Sequence, residues 1–96
     1  MLNFYESIQD PTMVDFYASW CSPCKTLKPT VEEIEEQYKD KVKVLHVDID
    51  EYTSLAQEYG VVSIPSLLFF NKGELIDGLQ GVVDKEEIEE KINIII

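Results

Sequence analysis

The sequence predicts an α/β fold in which a mixed sheet of about four strands carries helices on both faces. Three observations lead to this prediction. Apolar runs of strand length recur along the chain, a long amphipathic helical pattern lies between the first two runs, and a short turn separates the last two. A helix between two strands favours parallel pairing, whereas a short turn favours an antiparallel hairpin. A chain of 96 residues can build one core, so we expect a single domain over 1–96.

The N-terminal segment is predicted to be a short helix followed by a buried strand. Apolar residues stand at helical spacing within 2–9, and Pro11 disfavours helix in the residue before it. The mostly apolar run 13–18 then has the length and composition of a strand covered on both faces. Asp15 is the exception in this run, because a carboxylate is costly to bury.

A long helix and a second strand follow. Apolar residues recur at helical spacing between 27 and 38 with glutamates on the other side, which predicts an amphipathic helix from Cys24 to about Lys39. Pro29 lies inside this helix and is expected to bend it. The run 42–48 predicts the second strand, parallel to the first.

The second half of the chain is predicted to contain a short helix, a hairpin and a last helix. The short helix covers 53–59 and ends at Gly60, a residue type that favours the left-handed backbone found after helices. Strands over 66–70 and 74–79 flank a turn at 71–73. The last helix begins at a capping-box pattern formed by Asp84 and Glu87. It then carries Ile88, Ile92 and Ile95 at helical spacing.

The charge balance argues against some classes of partner. Nineteen acidic and eight basic residues give a net charge of −11, which opposes binding to nucleic acid or to anionic membranes. The N-terminus lacks the basic and apolar regions of a signal peptide, and no run approaches the ~20 apolar residues that span a bilayer. Two cysteines are too few for a disulfide-dense secreted scaffold. We therefore expect a soluble, cytoplasmic protein that acts as a monomer.

The two cysteines, Cys21 and Cys24, form a C-x-x-C motif at a predicted strand-to-helix junction. Without a second pair to complete a metal cage, this motif favours thiol–disulfide redox chemistry. Unpaired N–H groups at a helix N-terminus favour the thiolate. We expect Cys21, just outside the helix, to be the exposed nucleophile, and Cys24, in the first turn, to be the inward-facing resolving thiol. Pro23 stiffens the loop and costs no hydrogen bond at a helix start.

Other uses of these residues are less well supported. A tetrahedral zinc site needs four ligands, and beyond the cysteines the chain offers only His46 and carboxylates, so no metal is expected. A purely structural disulfide would close too small a loop to contribute much stability. His46, a lone strand histidine, is predicted to be inert. Asp15 could be a buried, hydrogen-bonded carboxylate with no role in proton transfer.

Two stretches closely resemble the thioredoxin family. They are VDFYASWCSPCK over 14–25 and SIPSL over 63–67, and the resemblance runs from about Met13 to the C-terminus. It implies the thioredoxin fold, reduction of protein disulfides without a further cofactor, and recharging by a thioredoxin reductase. It also implies a cis Ile64–Pro65 bond that faces the cysteines, which X-Pro chemistry allows. The chain begins too late to contain the family's first strand, so we expect a shortened sheet.

The resemblance also assigns roles to individual residues. An extended substrate could pair with the backbone of Ile64, as a strand added at a sheet edge does. The matching docking surface consists of Trp20, Ser22, Pro23, Ile64, Pro65, Gly81 and Val82. Asp15 matches a buried carboxylate beneath the resolving cysteine, where burial favours the neutral form and the group can take the proton of Cys24.

The surroundings of Asp15 are expected to depart from the family pattern. Familiar bacterial members place a lysine beside this carboxylate on the neighbouring strand. The matching position is assigned to Val44, and strand alternation would point Lys43 to the opposite face. We therefore expect Asp15 to lack a cationic neighbour and to favour its neutral form more strongly than in proteins that keep the lysine.

Two alternative functions stay open at this point. A glutaredoxin-like or oxidising family member would use the same cysteine pair, although the Cys-Pro-Tyr-Cys motif common in glutaredoxins is absent. A thioredoxin-fold interaction module would instead use the acidic surface, and the presence of both cysteines and Pro65 argues against it. A double serine variant of the cysteines that kept full biological activity would favour the module.

Overall fold

The computed structural model describes residues 3–96, which form four α-helices and four β-strands. In chain order the elements are α1 (Phe4–Ser7), β1 (Thr12–Tyr17), α2 (Ser22–Gln37), β2 (Lys43–Asp48), α3 (Thr53–Glu58), β3 (Ser66–Asn71), β4 (Glu74–Gln80) and α4 (Lys85–Ile95). This order is the predicted one, with ends that differ by a residue or two. Residue 2, where the first helix was expected to begin, lies outside the described residues. No helix within 3–96 is both long and apolar enough to cross a membrane.

The four strands form one mixed sheet in the order β2-β1-β3-β4. β1 runs parallel to β2 and antiparallel to β3, and β3 pairs antiparallel with β4. The hairpin turn consists of Lys72 and Gly73, with φ values of 54° and 80°. Two successive positive φ values are typical of the tight turn whose twist suits antiparallel strands. The predicted turn is one residue too long, because Asn71 still pairs with Glu74.

Helices cover both faces of the sheet, as predicted, and each face has its own core. On one face α2 and α4 pack against β1 and β3 through Met13, Leu27, Val31, Ile34, Leu67, Phe69, Ile88, Ile92 and Ile95. On the other face α1 and α3 contribute to a core that includes Phe4, Ile8, Val14, Phe16, Val47, Ala56 and Phe70. Side chains alternate along a strand, so Asp15 lies on the face of Met13, which α2 and α4 cover.

α2 begins at Ser22, two residues before its predicted start, and Cys21 is its N-cap. The backbone of Cys21 is extended (φ −89°, ψ 107°). Pro23 fits the first turn because the N–H groups there have no partner within the helix. The helix continues through Pro29 to Gln37. The cysteine motif therefore lies where a buried strand meets the N-terminus of a long helix.

The start of α4 has the contact that its capping-box pattern predicts. The backbone N–H of Asp84 donates to Oε2 of Glu87 at 2.9 Å. This contact pairs one of the N–H groups that a helix start leaves free. It fixes the entry of α4, whose Ile88 and Ile92 are completely buried against the sheet.

Candidate active site

Cys21 and Cys24 form a disulfide at the junction of β1 and α2, with their Cα atoms 5.3 Å apart. The backbone N–H of Cys24 donates to Sγ of Cys21 at 3.2 Å. The N–H of Lys25 donates to the carbonyl oxygen of Cys21 at 3.3 Å. In the reduced protein an N–H aimed at the sulfur, together with the helix N-terminus, stabilises a thiolate on Cys21.

Both cysteines are buried in the oxidised protein. Cys21 is 3% exposed and Cys24 is 9% exposed, and both pack with Ala18, Ile49 and Ile64. The expectation that Cys21 is the exposed member of the pair is therefore wrong for this state. The N-cap position keeps it outside the helix, yet the loop that carries Ile64 covers it. The case for Cys21 as the nucleophile rests on its hydrogen bond and its position at the helix N-terminus.

The loop before β3 lies against the cysteines. The Ile64–Pro65 bond is cis, as the resemblance implies, and Ile64 packs on the cysteine pair. The N–H of Gly81 donates to the carbonyl oxygen of Pro65 at 2.8 Å, which brings the end of β4 beside this loop. Gly81 has a φ of 82°, a conformation that costs glycine little.

The predicted docking residues differ in their exposure. Trp20 and Val82 are exposed at 65% and 55%, and Ser22 and Pro23 are exposed as well. Ile64 and Gly81 are partly buried, whereas Pro65 is buried. Of the exposed members, Trp20 precedes α2, Ser22 and Pro23 lie in its first turn, and Val82 follows β4. Val62, 91% exposed and two residues before Ile64, is an apolar neighbour that the sequence analysis did not identify.

Trp20 has a polar partner that the sequence analysis also missed. Its Nε1–H donates to Oδ2 of Asp50 at 2.8 Å. Asp50 lies in the loop after β2, and its N–H donates to Asp48. Thirty positions separate the two partners in sequence, and no local pattern links them. The contact fixes one edge of an otherwise exposed indole beside the disulfide.

Asp15 has a cationic neighbour, contrary to the prediction. The parallel register of β1 and β2 places His46 opposite Asp15 and Val44 opposite Met13. Nδ1 of His46 lies 3.2 Å from Oδ2 of Asp15, whose side chain is only 13% exposed. The assignment of Val44 to this position is wrong, and His46 is not the isolated strand histidine on which the prediction of an inert residue depended. Val44 packs instead against the core beneath α2 and α4.

His46 contacts a second carboxylate as well. Its Nε2 lies 2.9 Å from Oε1 of Glu35 on α2. The hydrogen bond with Asp15 and the contacts with Glu35 raise the pKa of His46 to about 9, although partial burial opposes the shift. The ring is therefore an imidazolium at neutral pH.

A pocket of about 400 Å³ joins these groups to Cys24. Its walls include Cys24, Lys28, Glu32 and Glu35 from α2, Asp15 from β1 and His46 from β2. Tyr17 also lines it, and burial together with nearby carboxylates raises the pKa of this phenol, which keeps it neutral. The pocket is large enough for water, which could carry a proton between Cys24 and the cluster.

Comparison with known proteins identifies the family of the chain. The family model described as Thioredoxin matches residues 2–94. The chain belongs to the thioredoxin family. Thioredoxin 1 of Synechococcus elongatus is 48% identical over 75 residues, which are 78% of this chain and 70% of that protein. Thioredoxin of Bacillus subtilis is 39% identical over 88 residues, which are 92% of this chain and 85% of that protein.

Solved thioredoxin structures have the same fold. A mutant thioredoxin from Halobacterium salinarum has a TM-score of 0.84 at 36% identity, over 95% of this chain and 79% of that chain. Thioredoxin from Malassezia sympodialis has a TM-score of 0.87 at 34% identity, over 96% of this chain and 82% of that chain. The family, the fold and the Cys21–Cys24 pair together make the chain a thiol–disulfide oxidoreductase that acts on proteins.

Proposed function

We propose that the chain reduces disulfides in other proteins, with Cys21 as the nucleophile and Cys24 as the resolving thiol. The Cys21 thiolate attacks one sulfur of the substrate disulfide, and the other substrate sulfur leaves as a thiol. Cys24 then attacks Cys21, which releases the second substrate thiol and leaves the Cys21–Cys24 disulfide. The observation that carries this assignment is the Cys24 N–H donated to Sγ of Cys21 at 3.2 Å.

The proposed proton acceptor for Cys24 is Asp15. Resolution requires a Cys24 thiolate, and a neutral thiol must pass its proton to a base. The carboxylate of Asp15 and Cys24 line the same pocket, and the side chain of Asp15 is largely shielded from bulk water. This placement supports transfer through water in the pocket.

The proposed substrate surface surrounds the cysteine pair. Trp20, Ser22, Pro23 and Val82 offer exposed contact area, and the backbone of Ile64 can pair with an extended segment. Pro65 belongs to the same loop, and its hydrogen bond with Gly81 ties the loop to the end of β4. Because recognition through backbone pairing is independent of side chains, the chain should accept many substrate proteins.

The first test separates the roles of the two cysteines. Cys24→Ser should accumulate a stable mixed disulfide with a disulfide-bonded substrate such as insulin, because the attack is intact and the resolution is lost. Cys21→Ser should accumulate far less. Non-reducing electrophoresis after acid quenching measures both. Equal trapping by the two variants, or more by Cys21→Ser, would exchange or remove the proposed roles.

The second test concerns the direction of electron flow. We propose that a thioredoxin reductase returns the Cys21–Cys24 disulfide to the dithiol in the cytoplasm, with no cofactor beyond the pair itself. A potential near about −270 mV, measured by thiol trapping in dithiothreitol buffers, supports a reductant. A potential above about −180 mV would instead indicate an oxidant or isomerase.

A further inference from the structure

Three titratable side chains from three elements meet at one end of the active-site pocket. Asp15 comes from β1, His46 from β2 and Glu35 from α2. The ring of His46 lies between the carboxylates, 3.2 Å from Asp15 and 2.9 Å from Glu35. The three side chains are 13%, 41% and 44% exposed in the order Asp15, His46, Glu35. The cluster therefore extends from a shielded carboxylate, which lines the same pocket as Cys24, to the surface of α2.

The geometry fixes how many protons the cluster holds. An ionised carboxylate only accepts hydrogen bonds, and a neutral imidazole has one donor and one acceptor nitrogen. Both contacts of His46 are satisfied together only if the ring is protonated or one carboxylate is. Loss of that proton would leave a ring nitrogen facing a carboxylate oxygen with no hydrogen between them. The cluster thus retains one proton more than three separate groups would near neutral pH, in agreement with the raised pKa of His46.

We propose that Glu35 and His46 are positioning residues for the resolution step: Glu35 holds the protonated His46 ring in place, and Nδ1–H of the ring donates to the Asp15 carboxylate and keeps it oriented as the proton acceptor. This inference rests on the proposed role of Asp15. An opposite charge within about 4–6 Å favours the ionised form of a carboxyl group, whereas burial alone would favour its neutral form. Glu35, an exposed carboxylate on α2, would act on the reaction through the ring.

The other charges around the ring leave this assignment intact. Those that line the pocket are Lys25, Lys28 and Glu32 on α2 and the neutral Tyr17 on β1. The His46 contacts within hydrogen-bond distance are those with Asp15 and Glu35. The positive charges of the two lysines disfavour protonation of His46, whereas the negative charge of Glu32 favours it. Water screens these effects, because the three side chains lie farther from the ring than Asp15 and Glu35 do.

Every proton and electron pair in the resolution step has a donor and an acceptor. The Cys24 thiol gives its proton to the Asp15 carboxylate, and the Cys24 sulfur forms a bond with the Cys21 sulfur. The Cys21–substrate bond breaks, and the substrate sulfur leaves with the electron pair and takes a proton from solvent. His46 keeps its proton throughout and donates to Asp15, and Asp15 later releases the proton to pocket water.

The test follows resolution directly. Reduced protein reacts with 5,5′-dithiobis(2-nitrobenzoate) to give a mixed disulfide on Cys21, and release of the second thionitrobenzoate reports the attack by Cys24. Stopped-flow rates are collected from about pH 6 to about pH 10, a range that includes the ordinary histidine and cysteine pKa values.

The variants should differ in a defined pH window. His46→Gln should move the profile to higher pH by about one unit, so that resolution near neutral pH is about tenfold slower. Glu35→Gln should match the unmodified protein near pH 6 and should approach His46→Gln as the pH rises towards about 9, because Asp15 alone then favours the proton on His46. His46→Lys, which keeps a positive charge, should recover most of the rate that His46→Gln loses.

Glu36→Gln is the matched control. It removes the same charge from the neighbouring position of α2, where Glu36 is highly exposed and pairs with Lys39. Its profile should follow that of the unmodified protein. If Glu36→Gln and Glu35→Gln shift the profile equally, the effect is one of general charge and the inference is overturned.

A second measurement tests the protonation of His46 without using the resolution rates. NMR titration of His46 in the oxidised protein should give a midpoint near 9, which is lower in Glu35→Gln and lower still when Asp15→Asn is added. A midpoint near 6.5 in the unmodified protein would overturn the inference.

If Asp15→Asn leaves the resolution profile unchanged, the proposed role of Asp15 fails. If Asp15→Asn changes the profile but His46→Gln and Glu35→Gln do not, this inference fails alone.

Discussion

At the scale of single residues, the protonated ring of His46 links stability to pH. Its folded pKa of about 9 lies above the ordinary value of about 6.5. A raised pKa means that the folded state binds the proton more tightly than the unfolded state does. The added stability is fully present below about pH 6.5 and is lost as the pH rises through about 9.

We expect His46→Gln to be less stable than the unmodified protein near pH 6 and to approach it near pH 10. The ring is 41% exposed, so solvent screening reduces the difference to about 1 kcal/mol at pH 6. Urea unfolding of both oxidised proteins measures it, because the cysteines do not titrate in the disulfide. A difference between the two proteins that stays constant with pH would contradict the linkage.

The sequence could not identify His46 for a physical reason. Val44 and His46 lie on the same side of β2, so a shift of the β1–β2 pairing by two residues keeps every apolar side chain on its face. Hydrophobic alternation therefore cannot distinguish the two registers. A parallel pair also lacks the tight turn that fixes register in a hairpin. The positions of Cys21 and Cys24 at a strand-to-helix junction and of Asp15 within β1 could be predicted, because they follow from local order along one strand and one helix.

At the scale of single elements, the start of α4 offers a test of local capping. Glu87→Ala removes the acceptor that the N–H of Asp84 uses, whereas Glu86→Ala removes the same charge from the same turn. We expect Glu87→Ala to lower the free energy of unfolding by about 0.5–1 kcal/mol more than Glu86→Ala does. Urea unfolding at constant pH compares them.

A rescue variant makes this prediction sharper. Glu87→Gln keeps an oxygen that can accept from the N–H of Asp84, so it should retain most of the stability that Glu87→Ala loses. Equal losses in Glu86→Ala and Glu87→Ala would mean that helix propensity and charge, rather than the reciprocal contact, stabilise this turn.

The elements themselves were largely predictable from spacing. Isoleucines of α4 and the apolar side of α2 repeat at helical intervals, and both patterns correspond to buried faces. The ends were less predictable. The apolar pattern of α2 begins inside the helix, so it does not predict the first turn, which contains Ser22 and Pro23. Caps and prolines, which do not contribute to the apolar pattern, decide where a helix begins.

At the scale of the whole molecule, the net charge of −11 should affect which substrates react fastest. The molecule measures 31 × 26 × 21 Å. At an ionic strength of about 0.01 M the Debye length is about 30 Å, so charges over the whole surface contribute to the potential at the cysteine pair. At about 0.15 M it is about 8 Å, and distant charges are screened.

We therefore expect faster reduction of a disulfide peptide flanked by lysines than of one flanked by glutamates. The two peptides should have the same length and should differ only in these flanking charges, which are separated from the cysteines by identical uncharged residues. The ratio of their second-order rate constants should be roughly tenfold at about 0.01 M salt, because electrostatic attraction raises the encounter rate, and should fall towards one at about 0.15 M. Lys25 and Lys28 line the active-site pocket and reduce the local effect of the acidic surface. A ratio near one at low salt would mean that these lysines offset the charge of the whole molecule. A large ratio that salt did not change would indicate short-range contacts with the peptide instead of long-range attraction.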